Sequence, residues 1–359
     1  ILQLAAIGAQ DSVLIGNPQI TFFVAIYKRH SNFAINIEQK LFTGEFNFGQ
    51  KCFCNVDRSG DLINEIFLMV RLPDISLLNK DNDECLWVNS IGHALIKYID
   101  VELGGNIIDR QYGMWLNIWS ELTINNTKRA GFNKMIGKVD GQTNINHENG
   151  KNLNLYVPLY FWFCRNLGSS LPIIALQNSE LRINIGIRDV NDLVITKSGR
   201  SLTEAEVNSL SIEHGSLYIK YIYLDDDERK FFAQHKLQYL IEQIQVNPIP
   251  INNIGRSNQN DTKIIKVKDY EYVVNFNFNH PVKELIWVFQ GGDVLTNKDK
   301  DGNPINYGGN QWFNYSDAIY SLTDDEHSGI LERAKIQFEG KDRTELRDEE
   351  FFRIVQPYM

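Results

Sequence analysis

Alternation with a period of two runs through most of this chain, and no other feature narrows the choice of fold as far. In "FNFGQKCFCNV" one face carries Phe46, Phe48, Cys52, Cys54 and Val56, with Gln50 the exception, while Asn47, Lys51 and Asn55 fall on the other. A turn at Ser59-Gly60-Asp61 leads into a second run, "LINEIFLMVRL". In "SLYIKYIYL" Leu217, Ile219, Tyr221 and Tyr223 share a side. Side chains alternate across a strand, so such runs predict strands with one face on a core. Helical patterns are few and short: "ILQLAAIGAQD", "YGMWLNIWSEL", "DDDERKFFAQ" and "DEEFFRIVQPYM". Strands separated by turns, with isolated helices, predict an all-β antiparallel sandwich or barrel.

The pattern also occurs twice. "VELGGNIIDR" has a partner in "IQFEGKDR": each is an alternating strand that meets a glycine (Gly105, Gly340) and then Asp-Arg (Asp109-Arg110, Asp342-Arg343). A short aromatic helix follows both, with Trp115 and Trp119 in the first copy and Phe351 and Phe352 in the second. Upstream, "DLINEIFLMVRL" matches "HPVKELIWVF", with Glu65 against Glu284. These pairs lie 219 and 233 residues apart and in the same order, the mark of a tandem repeat. Between the copies, Asp225 with Glu228 three residues on predicts a capped linker helix ending near Gln234. The expected division is an N-terminal helix and arm over 1–34, a first unit over 35–224, the linker helix over 225–236, and a second unit over 237–359. Only 17 residues follow Asp342, so the second unit is expected to be incomplete. Opening on Ile1 rather than Met, the chain is also expected to have residues ahead of it.

Composition excludes several classes of function. With 43% hydrophobic residues the chain can fill a sizeable core. Its longest apolar block, "YVPLYFWF", has eight residues, against the roughly 18 of a membrane-spanning helix. No basic and apolar leader pattern is read at its start. A net charge of −9, with Lys28-Arg29-His30 as the tightest basic cluster, argues against direct contact with nucleic acid. Four cysteines are too few for a disulfide framework at this length, so a reducing compartment is expected.

No motif for catalysis or cofactor binding survives inspection. The closest histidines are 21 residues apart, so neither His-x-His nor HExxH can form. There is no GxSxG elbow. "GEFNFGQK" mimics the glycine spacing of a phosphate loop but has Gln50 where lysine is needed, and a strand follows it. Cys52 and Cys54 lie on the apolar face of their strand and read as small hydrophobes. "NKDKDGNPINYG" places Asn297, Asp299 and Asp301 as in a calcium loop, but position 12 is Gly308 instead of a bidentate glutamate. These three are weak metal candidates, and the stretch reads as a turn-rich loop. Asn125, Asn260 and Asn314 are sequons, which matter only in a secretory pathway. The two Asp-Arg pairs have no nucleophile or histidine beside them and read as structural. No enzyme and no cofactor is expected.

One stretch carries a resemblance. "GAQDSVLIGNPQITFFVAIYKRHSNFA" resembles the N-terminal signature of the major capsid proteins of nucleocytoplasmic large DNA viruses. That signature runs Gly-Ala-Gln-Asp, then Gly-Asn-Pro-Gln-Ile-Thr-Phe-Phe, then Tyr-Arg-Arg-His/Tyr-Thr-Asn-Phe-Ala. Here the blocks are Gly8 to Asp11, Gly16 to Phe23 and Tyr27 to Ala34, with Lys28 and Ser31 as departures. The likeness continues in order through "RSGDLI", "VELGGNIIDR", "YVPLYFWF", "LPIIALQ", "YIYLDDDERKFFAQ", "YLIEQIQ", "NFNHPVKELIW" and "FFRIVQPYM". The family's late strands, with a Phe-Ala-Leu-Lys-Pro segment, have no counterpart.

The resemblance implies two tandem eight-stranded antiparallel jelly rolls, the second incomplete. It implies a homotrimer with a pseudo-hexagonal outline that tiles an icosahedral virion shell, since three chains of two similar barrels give six similar units about one axis. Partners would be other copies, neighbouring capsomers, minor capsid and penton proteins and an inner viral membrane, with assembly in the host cytoplasm. Gly16, Asn17, Pro18, Gln19, Phe22 and Phe23, with Asp109, Arg110, Asp342 and Arg343, would be the signature and assembly residues. Ile1 to Asp11 would be a short helix near the shell's inner side, Gly16-Asn17-Pro18 would turn the chain into the first barrel, and Phe22-Phe23 would be buried against the barrel or a neighbouring subunit. The alternative from another class is a jelly-roll lectin or receptor-binding module, suggested by Trp312 and Tyr315 as surface aromatics.

Overall fold

The computed structural model describes residues 32–79, 83–139, 153–248, 273–291, 295, 308–315 and 331–359. Ten strands build the first unit: β1 (Phe33–Leu41), β2 (Lys51–Val56), β3 (Leu62–Leu72), β4 (Cys85–Trp87), β5 (Ile96–Leu103), β6 (Asn106–Gln111), β7 (Leu153–Pro158), β8 (Leu181–Ile187), β9 (Val194–Thr196) and β10 (His214–Leu224). Eight of them form two four-stranded antiparallel sheets, in the orders β1-β10-β3-β7 and β2-β8-β5-β6. The chain alternates between the sheets, so strands far apart in sequence become neighbours. That is the jelly-roll arrangement. β4 and β9 pair as a separate ribbon.

Alternation decides which side of each strand is buried. On β10, Leu217, Ile219 and Tyr221 are fully buried while Lys220 faces out and pairs with Glu65 of β3 at 3.2 Å. On β8, Leu181, Ile183, Ile185 and Ile187 point inward. They join Ile63, Ile66, Leu68 and Val70 of β3 and Ile99 and Val101 of β5 in one core. Each such side chain contributes about 1.5–3 kcal/mol by leaving water. Within the second sheet, Gly186 of β8 leaves room for the ring of its β5 neighbour Tyr98, from which an added Cβ would sit 2.4 Å.

The first long alternating run begins later than its pattern predicts. β2 starts at Lys51, because Gly49 takes a left-handed φ of 70° and the Asn47 side chain accepts the N–H groups of Phe48 and Ile212. Phe46 and Phe48 therefore pack from a turn, on Phe42 and Trp87 respectively.

The helices are short and include α1 (Ile91–Ala94), α2 (Gly113–Thr123), α3 (Asn126–Ile136), α4 (Glu204–Ser209) and α5 (Asp226–Gln234), with helical turns also at Trp162–Arg165, Phe351–Val355 and Gln356–Tyr358. α5 lies where the linker helix is expected. Its cap is half of the reciprocal box: Asp225 Oδ1 accepts the Glu228 N–H at 3.2 Å, and Oδ2 accepts the Asn32 N–H at 3.5 Å.

The second unit's described residues hold four two-residue strands: β11 (Arg333–Ala334), β12 (Gln337–Phe338), β13 (Lys341–Asp342) and β14 (Arg347–Asp348). The expected counterpart of β3, "HPVKELIWVF", lies within 273–291, to which no strand is assigned and which bends at His280, with φ of 67°. Ladder partners make a strand. β3 has two, whereas 281–290 has none among the described residues.

Candidate assembly surface and the joints between the repeats

The repeated Gly-Asp-Arg stretch forms the same local structure twice. β5 turns into β6 through Gly104 and Gly105, with φ of 55° and 86°. β12 turns into β13 through Glu339 and Gly340, with φ of 50° and 76°. Positive φ at both central residues marks the tight hairpin turn whose twist matches its strands. Gly105 and Gly340 are thus equivalent. The Asp-Arg pairs are not: Asp109 falls four residues after its glycine and Asp342 two, and the first hairpin has a register shift at Val101/Glu102. Their surroundings differ too. Asp342 is exposed, accepting from Gln337 and pairing with Lys335 at 3.5 Å, and the Gln337 hydrogen bond foremost lowers its carboxyl pKa.

Asp109 is buried at the first joint between the repeats. Its Oδ1 accepts the backbone N–H of Ile244 at 3.0 Å and its Oδ2 accepts Gln111 Nε2 at 3.0 Å. Burial raises its carboxyl pKa above the usual carboxylate range. Around it, Gln243 Nε2 donates to the Ile108 carbonyl, and Arg165 pairs with Glu242 at 2.7 Å while lying over the Trp119 ring. Lys283 pairs with the same Glu242 and lowers its carboxyl pKa. Residues 242–244 are thereby pinned to β6 of the first barrel. Arg110 instead stays within that barrel, donating Nε and Nη2 to the two Asp100 oxygens at 2.7 Å each.

A second joint runs through residues 310–315. Asn310 Nδ2 donates to the carbonyls of Asn191 and Val194 at 2.7 and 3.0 Å. Trp312 Nε1 donates to the Asp192 carbonyl at 2.7 Å, and Arg188 covers the indole at 3.7 Å. Trp312 and Tyr315 are half-buried rather than presented on the surface. The expectation of a binding platform at these aromatics is corrected here, because Trp312's donor and ring face are already occupied. A small cleft beside this joint is lined by Thr196, Arg200 and Asn310. Its cation is taken up as well, since Arg200 pairs with Asp83 at 2.6 Å and Glu206 at 2.8 Å.

The other sequence candidates fall in three groups. Gly16, Asn17, Pro18, Gln19, Phe22, Phe23, Asn260, Asn297, Asp299 and Asp301 lie outside the described residues. Among the described residues no cluster of three His, Cys, Asp or Glu is placed to hold a metal, and no helix is long and apolar enough to cross a membrane. Cys52 and Cys54 are buried, and burial pushes their thiols up to about 12 and about 11. Asn125 caps α3, its side chain accepting the Thr127 N–H at 3.4 Å. Asn314 is a poor sugar acceptor, since it is buried and its Nδ2 donates to Gln311 at 2.8 Å.

Sequence reasoning missed the joints. Asn310 and Trp312 find their partners 116 to 120 residues upstream, and no local pattern marks such a pairing. It also missed a solvent-facing apolar stripe on β1, where Phe33, Ile35, Ile37 and Leu41 are 59%, 47%, 55% and 65% exposed. The alternation of 33–41 was there to be read.

Comparison with known proteins agrees with this architecture. The profile described as "Major capsid protein N-terminus" matches residues 21–225, and that described as "Large eukaryotic DNA virus major capsid protein" matches 228–359. The chain is 37% identical to a major capsid protein of Pyramimonas orientalis virus, over 100% of this chain and 75% of that one. It is also 37% identical to a major capsid protein of Phaeocystis pouchetii virus, over 91% of this chain, and spans 66% of that relative's length. Among solved structures, PBCV-1 VP54 matches with a TM-score of 0.68 at 27% identity, covering 94% of this chain and 76% of that one.

Proposed function

The chain belongs to the major capsid protein family of large eukaryotic DNA viruses, and on that premise we propose that it is a structural subunit of a virion shell, working by self-association and not by catalysis. The observation that carries this reading is the pairing of a complete eight-stranded jelly roll with a second unit that repeats its β5–β6 hairpin at Glu339-Gly340. Two similar units per chain let three chains present six similar walls about one axis, a block suited to tiling an icosahedral face. The partners are then other copies of this chain, first within a homotrimer and then between capsomers. Minor capsid and penton proteins, an inner membrane beneath the shell and assembly in the host cytoplasm complete the proposal. Asp109 serves it indirectly, by fixing the second unit to the first. Negative-stain images of the purified protein test the reading: particles of hexagonal outline support it, and a field of single two-lobed monomers contradicts it.

A further inference from the structure

β1 is built inside out. Glu38 and Lys40 take the same side of the sheet as the buried Ile219 and Leu217, their partners on β10. There Lys40 pairs with Glu38 at 2.9 Å and with Asp57 at 3.1 Å, and the Tyr223 hydroxyl donates to Glu38. Phe33, Ile35, Ile37 and Leu41 take the outward side instead. A strand with one wet face carries the reverse pattern, because apolar groups gain by leaving water and charges do not. The outward side of β1 thus has the composition of a face that another layer covers.

Neighbouring strands extend this face. The register sets Tyr218 of β10 between Gln39 and Phe67, and Tyr156 of β7 beside Met69, with the two tyrosine rings 6.3 Å apart. Its polar groups are already matched among themselves: Lys220 pairs with Glu65, and Gln39 donates to Ser216. Tyr156 is 40% exposed, and together with the four β1 side chains it presents about 500 Å² of largely apolar surface. One side of a standard interface buries about 800 Å², and between like chains about 65% of it is apolar. With its polar residues added, the face meets both figures.

The joints within the chain say what covers it. Asp109 lies on β6, and the 188–194 stretch that holds Asn310 and Trp312 follows β8, so both joints are made from the β2-β8-β5-β6 sheet. The outward face of the other sheet is left free by the chain's own second unit. In a ring of alternating units, each first unit meets its own second unit on one side and a neighbour's on the other. The second unit also carries exposed apolar side chains, Leu240, Val246 and Val282 among them.

We propose that the outward face of the β1-β10-β3-β7 sheet packs face to face on the second unit of another copy of this chain, with Phe33, Ile35, Ile37, Leu41 and Tyr156 at its centre. The inference rests on the self-association reading and names the surface that self-association uses.

The test is the Ile35→Lys/Ile37→Lys variant of the 359-residue chain, weighed by light scattering beside the unaltered protein. Both side chains point to solvent in the single chain, so the circular dichroism spectrum should not change, while the mass should fall threefold, from three chains to one. A variant that keeps the parent's mass overturns this inference and leaves self-association standing. A monomeric parent removes both. Carbene labelling of the unaltered chain covers a variant that does not fold. Phe33, Ile37 and Tyr156 should take up about tenfold less label than Leu77, which is exposed elsewhere on the first unit, since the centre of an interface excludes solvent. Labelling in proportion to the exposures of the single chain overturns the proposal. Protection in a chain that runs as a monomer overturns it as well, because the chain then covers its own face.

Discussion

His93 is fully buried in α1, its ring 5.9 Å from that of Phe132 and 6.3 Å from that of Phe313, and neither ring nitrogen has a hydrogen-bond partner among the described residues. Burial, with Lys138 nearby, lowers its pKa from about 6.5 to about 3. Between those values the unfolded chain binds a proton that the folded chain refuses. This contribution to stability is therefore complete above pH 6.5 and is lost at about 1.4 kcal/mol per pH unit as pH falls towards 3. Urea denaturation at pH 7.5, 6 and 5 should show the decline, and His93→Phe should flatten it over this window whatever its absolute stability. Carboxylates held below their usual range, such as Glu242, act only at lower pH. An unchanged slope in the variant would move the effect elsewhere. Asp109 is the second telling residue. Asp109→Ala leaves the Ile244 N–H without its acceptor, a loss of roughly 1–3 kcal/mol if that group stays buried. Limited proteolysis should then cut faster within 236–248 than in the parent protein; equal rates would show that the joint does not depend on this carboxylate.

At the scale of elements, close approach is the most exposed part of the design. Gly186→Ala puts a methyl group against the Tyr98 ring, where β8 and β5 are paired and neither backbone can yield freely. A cost of about 1–3 kcal/mol is expected by denaturation, and a neutral result would mean that Tyr98 swings aside. Which elements the sequence disclosed follows from how each is stabilised. β2, β3 and β10 declare themselves because one face must be apolar, and α5 because Asp225 opens a run of acidic residues. α3 escaped notice because its face is mostly polar; its signals were a cap at Asn125 and a left-handed stop at Gly137, with φ of 70°. α4 is opened by a Thr203–Glu206 capping box inside a stretch with no apolar rhythm. The hairpin glycines were legible, and so was the two-residue offset of the Asp-Arg pairs; the register shift at Val101/Glu102 was not, since it has no signature in sequence. The joints depend on partners over a hundred residues away and could be found only in three dimensions.

For the whole molecule, the two joints tie the second unit to the first through Asp109 and through Asn310 and Trp312, so the chain presents paired units as one block. Such a block suits closed assembly, in which the same surfaces meet around an axis. Subunits that build a lasting shell need contacts of obligate size, above roughly 2,000 Å² for each pair. The exposed apolar residues fit that demand: Phe33, Ile35, Ile37 and Leu41 on β1, and Leu240, Val246, Val273 and Val282 in the second unit. The most direct test of the central claim is the solution mass of the protein by light scattering during gel filtration at micromolar concentration. A species of three times the 41.4 kDa chain mass, persisting on dilution, is the predicted result. A single monodisperse peak at 41.4 kDa would contradict it.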